Sequence, residues 1–382
     1  MTGPISPGEY AARLAALGRL TRDSDLDAYV VSSRDSIFYL TGASYEPLER
    51  PFFIVVRPER APELLVPLLE AAHLCKAAGI GEIHAYPEFP ARPGRDWASI
   101  LVGLLDGARA VGVEESLPCG QHGALAELSP RALALVEELR LIKSRAEVEA
   151  LRRAARYADL CTERLLAVAG DGVPVAAGFG ESRTVMGKLL GELGGDYSPM
   201  TSHVTMATWP APLSAQPHAI PGIADRLGAG PQVALALARV TGYSAECERT
   251  HFVVQPDRTQ AALFETMMEA RRLAFDRVRP GVRASELDAE VNDFLRGEGH
   301  GEHLLHRTGH GFGLGGHERP WLAEGSDDVL QENMLISIEP GIYIDEIGGF
   351  RHSDTVLVTA DGHECLTRYP SDLASLDLSR LS

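Results

Sequence analysis

The chain is poor in cysteine, in basic relative to acidic residues, and in long apolar runs. Its five cysteines, at 75, 119, 161, 247 and 365, are odd in number, widely spaced and form no C-x-x-C pair. That excludes a disulfide framework and a zinc knuckle, and fits a reducing compartment. Lys and Arg number 36 against 53 Asp and Glu, a net charge of −17. Nucleic-acid binding needs a basic face, and adhesion to anionic membranes needs basic clusters, so neither is expected. No apolar run reaches the roughly 18 residues of a membrane span. The N-terminal "MTGPISPGEY" lacks the basic-then-apolar pattern of a secretory signal. A cytoplasmic protein is the expectation.

What is present is an ordinary globular composition, 45% hydrophobic and 23% charged over 382 residues, a length that favours two domains. The first third alternates helix-like and strand-like segments. Residues 8–20 carry Tyr10, Leu14 and Leu17 at helical spacing, and "LDAYVVSS", "PFFIVV", "PELLVP", "EIHAY" and "RAVGVEE" read as strands. A helix is expected through Leu68, Leu69, Ala72 and Leu74. Ser144 and Glu147 then have the spacing of a capping box before Val148, Leu151 and Ala155. The spacing places a domain boundary just before that helix. Helices follow around 177–193, 258–278 and 284–297, with strands in "QVALALARV", "YSAECERTHFVV", "MLISIEPGIYI" and "FRHSDTVLVT". The fold expected is an α/β N-terminal domain, residues 1–140, followed by an α+β domain, residues 141–382, with helices laid on an antiparallel sheet.

"TGYSAECERTHF" puts Glu246 and Glu248 two residues apart on one strand, hence on one face. A turn near Thr241-Gly242 folds this strand back on "QVALALARV". With Val240 and Thr241 at the tip, Leu235 lies opposite Glu246, and Val233 opposite Glu248. Two carboxylates among apolar neighbours disfavour double ionisation, so at least one pKa should rise. They hold a metal, work as acid and base, or sit in solvent with Arg249 as a neutralising partner.

Further along, "HRTGHGFGLGGHERP" carries His306, His310 and His317 among glycines, which permit close backbone approach and positive φ. Glu339 in "SIEPGIY" is a carboxylate in an apolar strand, expensive unless paired or functional. "PHAIP" holds His218 in a stiff, extended segment.

These segments, with "LRLIKSRAEVEALRRAA", "GFRHSDTVLVT" and "YLTGASYEPLERPFFIVV", resemble in order and spacing the creatinase/aminopeptidase P superfamily, the pita-bread fold of Xaa-Pro peptidases, prolidases and peptidase family M24. The resemblance covers nearly the whole chain. It implies a pita-bread catalytic domain, a homodimer, and in the metallopeptidases two divalent ions held by two aspartates, one histidine and two glutamates. On this sequence the first aspartate falls on Leu235, the second on Glu246, the histidine on His310, the first glutamate on Glu339 and the last on Ser353. The chain is thus similar to a member with a degenerate metal site. Glu246, His310 and Glu339 remain as ligands for one ion such as Mn, Zn, Fe or Co, and His306 and His352 are candidates to make up the deficit. The metal-free creatinase branch uses a histidine and two glutamates, which match His218, Glu248 and Glu339. Its carboxylate-binding arginine from the neighbouring subunit matches Arg50, but Leu48 and Glu49 depart from the pattern beside it. Its second such arginine falls on Trp321.

The resemblance therefore implies a C–N bond hydrolase for a small amino-acid-like or dipeptide-like substrate. The expectation is a metal-independent, creatinase-like enzyme without a cofactor. There His218 moves the proton, Glu248 and Glu339 orient the substrate, His310 and His317 stabilise the oxyanion, and Arg50 holds a carboxylate. One alternative is a Xaa-Pro dipeptidase or aminopeptidase with a single divalent ion. Another is a catalytically inactive pita-bread module that binds a partner.

Overall fold

Ser6 accepts a hydrogen bond from the Glu9 N–H at 3.2 Å, and Pro7 stands at the first helical position. The helix Pro7–Asp23 therefore begins where its free N–H groups are met. It belongs to the first of two compact units, Met1–Arg140 and Leu141–Ser382, in a computed structural model that describes residues 5–380. The first unit is built on strands β1 (Ala28–Val31), β2 (Phe53–Val56), β3 (Glu63–Pro67), β4 (Glu82–Tyr86), β5 (Val111–Val113) and β6 (Arg131–Ala132). They form one mixed sheet in the order β4-β3-β2-β1-β5-β6. Its core gathers Val30, Phe53, Val55, Leu65, Tyr86 and Val113. The helix expected through Leu68–Leu74 is broken into Leu68–Ala71 and the 3-10 turn Leu74–Lys76. Leu68 and Leu69 are 58% and 61% exposed while Leu74 is buried, so the apolar residues never share one buried face.

The second unit opens with the capping box formed by Ser144 and Glu147, and the helix Arg145–Ala167 follows. Its strands are β7 (His203–Trp209), β8 (Gln232–Val240), β9 (Tyr243–His251), β10 (Gly309–Gly311), β11 (Glu318–Leu322), β12 (Leu335–Ile338), β13 (Gly341–Ile344), β14 (Gly348–Arg351), β15 (Ser353–Val358) and β16 (His363–Cys365). The main sheet runs β11-β10-β12-β15-β9-β8-β7 with β16 on β15, and β13 pairs only with β14. "MLISIEPGIYI" is thus two strands in two sheets, divided at Glu339-Pro340, because proline cannot continue a ladder. Ala234, Ala236 and Ala238 of β8 are fully buried. Their small side chains let the helix Arg145–Ala167 settle close on β8 and β9, where Thr162 Oγ1 donates to the Cys247 carbonyl at 3.2 Å.

Arg249 faces away from Glu246 and Glu248, so it does not neutralise them. It reaches Asp354 of β15 at 2.8 Å through Nη2, and Arg271 of the helix Arg258–Arg277 closes on the same carboxylate. Thr367 Oγ1 donates to Asp354 at 2.7 Å. Burial alone would raise the Asp354 pKa, but the two guanidinium groups hold it at about 2. A folded-state value below the ordinary 3.8 means that the network's contribution is full above that value and is lost as pH falls through about 2. Asp354→Asn should therefore destabilise the second unit by about 3–5 kcal/mol at pH 7, since it strands two buried cations. Urea midpoints of the two proteins should converge as the pH is lowered from about 4 towards 2.

Candidate active site

The hairpin joining β8 and β9 turns at Thr241-Gly242, with φ of 49° and 96°. Two successive positive φ values are those of a tight hairpin turn whose twist matches the flanking strands. The turn is tied down by Thr241 N–H on Ser202 Oγ at 2.9 Å and Gly242 N–H on the Thr201 carbonyl at 2.7 Å. Val240 pairs with Tyr243, so Leu237 lies opposite Glu246 and Leu235 opposite Glu248. The expected pairings of Leu235 with Glu246 and Val233 with Glu248 are each displaced by two residues, because the tip is one residue later. A shift of two keeps every side chain on its face, so the shared face is as expected.

Glu246 and Glu248 point into a cavity of about 260 Å³, where they meet His218, His317, Glu339 and Leu235. His306, Arg307 and Arg351 complete its wall. His310 lies beneath, fully buried, its ring stacked on that of His317 at 3.7 Å. The glycine segment works by close approach alone. Neither Gly309 nor Gly311 has positive φ, but a methyl group on either would strike the carbonyl of Ser337 or Arg319.

Arg351 grips both oxygens of Glu248, at 3.0 Å from Nη2 to Oε1 and through Nε to Oε2. The same guanidinium donates to Tyr343 Oη at 3.2 Å. His306 Nδ1 donates to the Arg307 carbonyl at 2.7 Å, which leaves Nε2 to accept from the Tyr343 hydroxyl at 2.6 Å. Burial lowers the His306 pKa, in keeping with a neutral ring. For Glu248, burial raises the pKa and Arg351 opposes the rise.

His310 Nε2 stands 3.1 Å from Glu339 Oε1, at ion-pair distance but off the line of a hydrogen bond. Burial would raise Glu339, yet His310 brings it down to about 2. Burial would lower His310, and Glu339 reverses the sign. At Glu246 the opposing pull of His310 is outweighed. Burial first, then Glu248 and Glu339, push it up to about 8, and its buried Oε1 has no hydrogen-bond partner. His317 is lowered to about 4 by burial and by His310.

His317 Nδ1 lies 3.3 Å from Arg307 Nη2. An arginine offers only donors, so Nδ1 accepts and the neutral ring carries its proton on Nε2. Arg307 itself lies over the Trp321 ring, 4.6 Å from its centroid. His352 takes no part. It is fully buried, edge-on to Phe264 at 5.2 Å. Arg50, in the first unit, is held by Glu49 at 2.5 Å and Glu88 at 2.9 Å. Sequence reasoning passed over Arg307, Tyr343 and Arg351. Arg351 had a signal, a charge inside the buried run "GGFRHSD", and Arg307 stood within the quoted histidine segment.

The residues present do not fit a pair of ions. Leu235 and Ser353 flank Glu248 on the two neighbouring strands, an apolar side chain on one side and a buried hydroxyl on the other. They do fit one divalent ion. Ligand atoms of Glu246, His310 and His317 lie within 4.8 Å of one another, as do those of Glu246, Glu248 and Glu339. The unpartnered Glu246 Oε1 and His310 Nε2 are the groups such an ion would satisfy. With Glu248 committed to Arg351, the donors left are Glu246, His310, Glu339 and His317.

Either half of the Glu248–Arg351 pair removed alone leaves a buried charge. Glu248→Gln or Arg351→Met should each cost about 3–5 kcal/mol, and the double variant should recover much of it. Denaturant unfolding of the four proteins gives the coupling energy. Additive losses would mean that the two residues act independently.

Residues 149–360 match the model of metallopeptidase family M24, and residues 13–153 that of the creatinase/prolidase N-terminal domain. The probable dipeptidase PepE of Mycobacterium tuberculosis is 32% identical, covering 97% of this chain and 97% of that protein. The Xaa-Pro dipeptidase of Pyrococcus horikoshii is 29% identical over 92% of this chain and 95% of its own length. The crystal structure of dipeptidase PepE from Mycobacterium ulcerans superposes with a TM-score of 0.84 at 28% identity, covering 97% of this chain and 98% of that one. The chain belongs to metallopeptidase family M24, with the creatinase/prolidase N-terminal domain and the pita-bread catalytic domain that its sequence resembles.

Proposed function

We propose that the chain hydrolyses the amide C–N bond of a small dipeptide, with one divalent ion held by Glu246, His310 and Glu339. The observation that carries this reading is that two buried ligand atoms, Glu246 Oε1 and His310 Nε2, make no hydrogen bond and stand beside Glu339. The dipeptidase names of the relatives agree with the substrate class. When bound, the ion supplies a Lewis acid and lowers the pKa of a water. The rest falls to the chain. His218, on the exposed rim of the pocket, takes the proton of the attacking water and returns it to the leaving nitrogen. His317 points a neutral Nε2–H donor at the developing oxyanion, its tautomer fixed by Arg307. Glu248 and Arg351 form a rigid, charge-balanced wall.

The metal-independent, creatinase-like reading gives Glu248 a different task, to grip a cationic group of the substrate. In this pocket the guanidinium of Arg351 already fills that place. What favours this second reading is the replacement of two family ligands by Leu235 and Ser353.

Hydrolysis of Ala-Pro and Gly-Pro, measured before and after chelator dialysis with metal analysis of the same samples, separates the two. The expected result is loss of activity on chelation and recovery at about one ion per chain. Full activity without a bound ion would return the reading to the metal-independent branch. His218→Ala should lower kcat by about 10²–10⁴-fold while leaving the ion in place. An unchanged kcat would remove His218 from the reaction.

A further inference from the structure

The charges lining the pocket leave one residue over. Glu248 is matched by Arg351, and Glu339 by His310. Arg307 has no carboxylate partner among the described residues. Its one polar side-chain contact is His317 Nδ1 at 3.3 Å, and its Nε is buried without a partner. Its plane rests on Trp321, a flat support that fixes the guanidinium without neutralising it. A preorganised, half-buried guanidinium on a cavity wall, with open donors, is built for a carboxylate.

We propose that Arg307, held by Trp321, receives the free C-terminal carboxylate of the substrate and so restricts the enzyme to dipeptides with an uncapped end. The Trp321 ring carries the Arg307 guanidinium at the cavity wall. Arg50 is not needed for this task. The cavity of about 260 Å³ suits a two-residue substrate whose carboxylate ends at that wall. The inference rests on the dipeptide reading above.

The test compares Ala-Pro with its C-terminal amide on the wild type and on Arg307→Met, Arg307→Lys and Trp321→Ala. The wild type should favour the acid by about a hundredfold in kcat/KM, carried by KM. Arg307→Met should abolish that preference, Arg307→Lys restore part of it, and Trp321→Ala weaken it. A loss of the His317 tautomer would lower kcat for acid and amide alike, so the ratio isolates the carboxylate contact. Retention of the acid preference in a folded Arg307→Met protein would overturn the inference. If neither compound is hydrolysed, calorimetric binding of Ala-Pro decides. Binding to the wild type but not to Arg307→Met keeps the carboxylate site while the hydrolysis reading falls. Equal binding to both, or binding to neither, overturns the site as well.

Discussion

Three carboxylates converge on one small cavity, and each is dealt with differently. Glu248 is locked by the Arg351 guanidinium, Glu339 is paired with His310, and Glu246 is left to hold a proton or a cation. Of these, the Glu248–Arg351 pair is the one on which the others depend. Its guanidinium lowers the Glu339 pKa, while the charge of Glu248 still helps to raise that of Glu246. Through Tyr343 it also orients His306, so the ion pair sets the donor pattern along one wall. Buried ion pairs are weak sources of net stability, and their better-attested value is to fix one arrangement against alternatives. Here the arrangement fixed is that of a polar pocket.

The strand that carries the pair is itself placed by its other face. β9 is buried at every position, which for a strand carrying Glu246, Glu248, Arg249 and His251 demands satisfaction on both sides. Arg249, pointing away from the pocket, is bound to Asp354 and to the backbone of Tyr369 and Pro370. That network joins β9, β15 and the segment after β16. The alanines of β8 admit the helix Arg145–Ala167 against the same side. Alternation along β9 thus separates a structural cation network from the reactive face, one residue apart in sequence and a full sheet thickness apart in role.

Most of the fold was legible in the sequence because its signals are local. The capping box at Ser144 and Glu147, the alternation in "QVALALARV" and the strand "EIHAY" each act over a few residues, and the elements lie where these signals put them. The hairpin register was legible in parity but not in value. Side-chain alternation fixes the face, whereas the tip is chosen by which two residues take positive φ, and Thr241 does so only with help from Ser202. The pocket was legible where carboxylates and histidines stand out in apolar runs. Arg307 and Arg351 were not, since an arginine's importance depends on what its guanidinium meets. Glu248 is 103 residues from Arg351, and Trp321 is 14 from Arg307. No local pattern encodes either meeting.

The cross-strand order Leu235, Glu248, Ser353 sets one carboxylate between an apolar side chain and a hydroxyl. Two carboxylates expected on the outer strands, β8 and β15, are replaced by a leucine and a serine, and one stands on β9 between them. Directly opposed residues have Cβ atoms about 4.5–5.5 Å apart, so a carboxylate on the middle strand lies within reach of both vacated positions. Adding it to a full set of outer carboxylates would bring like charges together on three adjacent strands. Losing both outer groups without it would leave Arg351 as a buried cation with no partner. Leu235, Glu248 and Ser353 together give an acid cluster in which Arg351 neutralises the carboxylate of the middle strand. Glu246, His310 and Glu339 are the other members of that cluster.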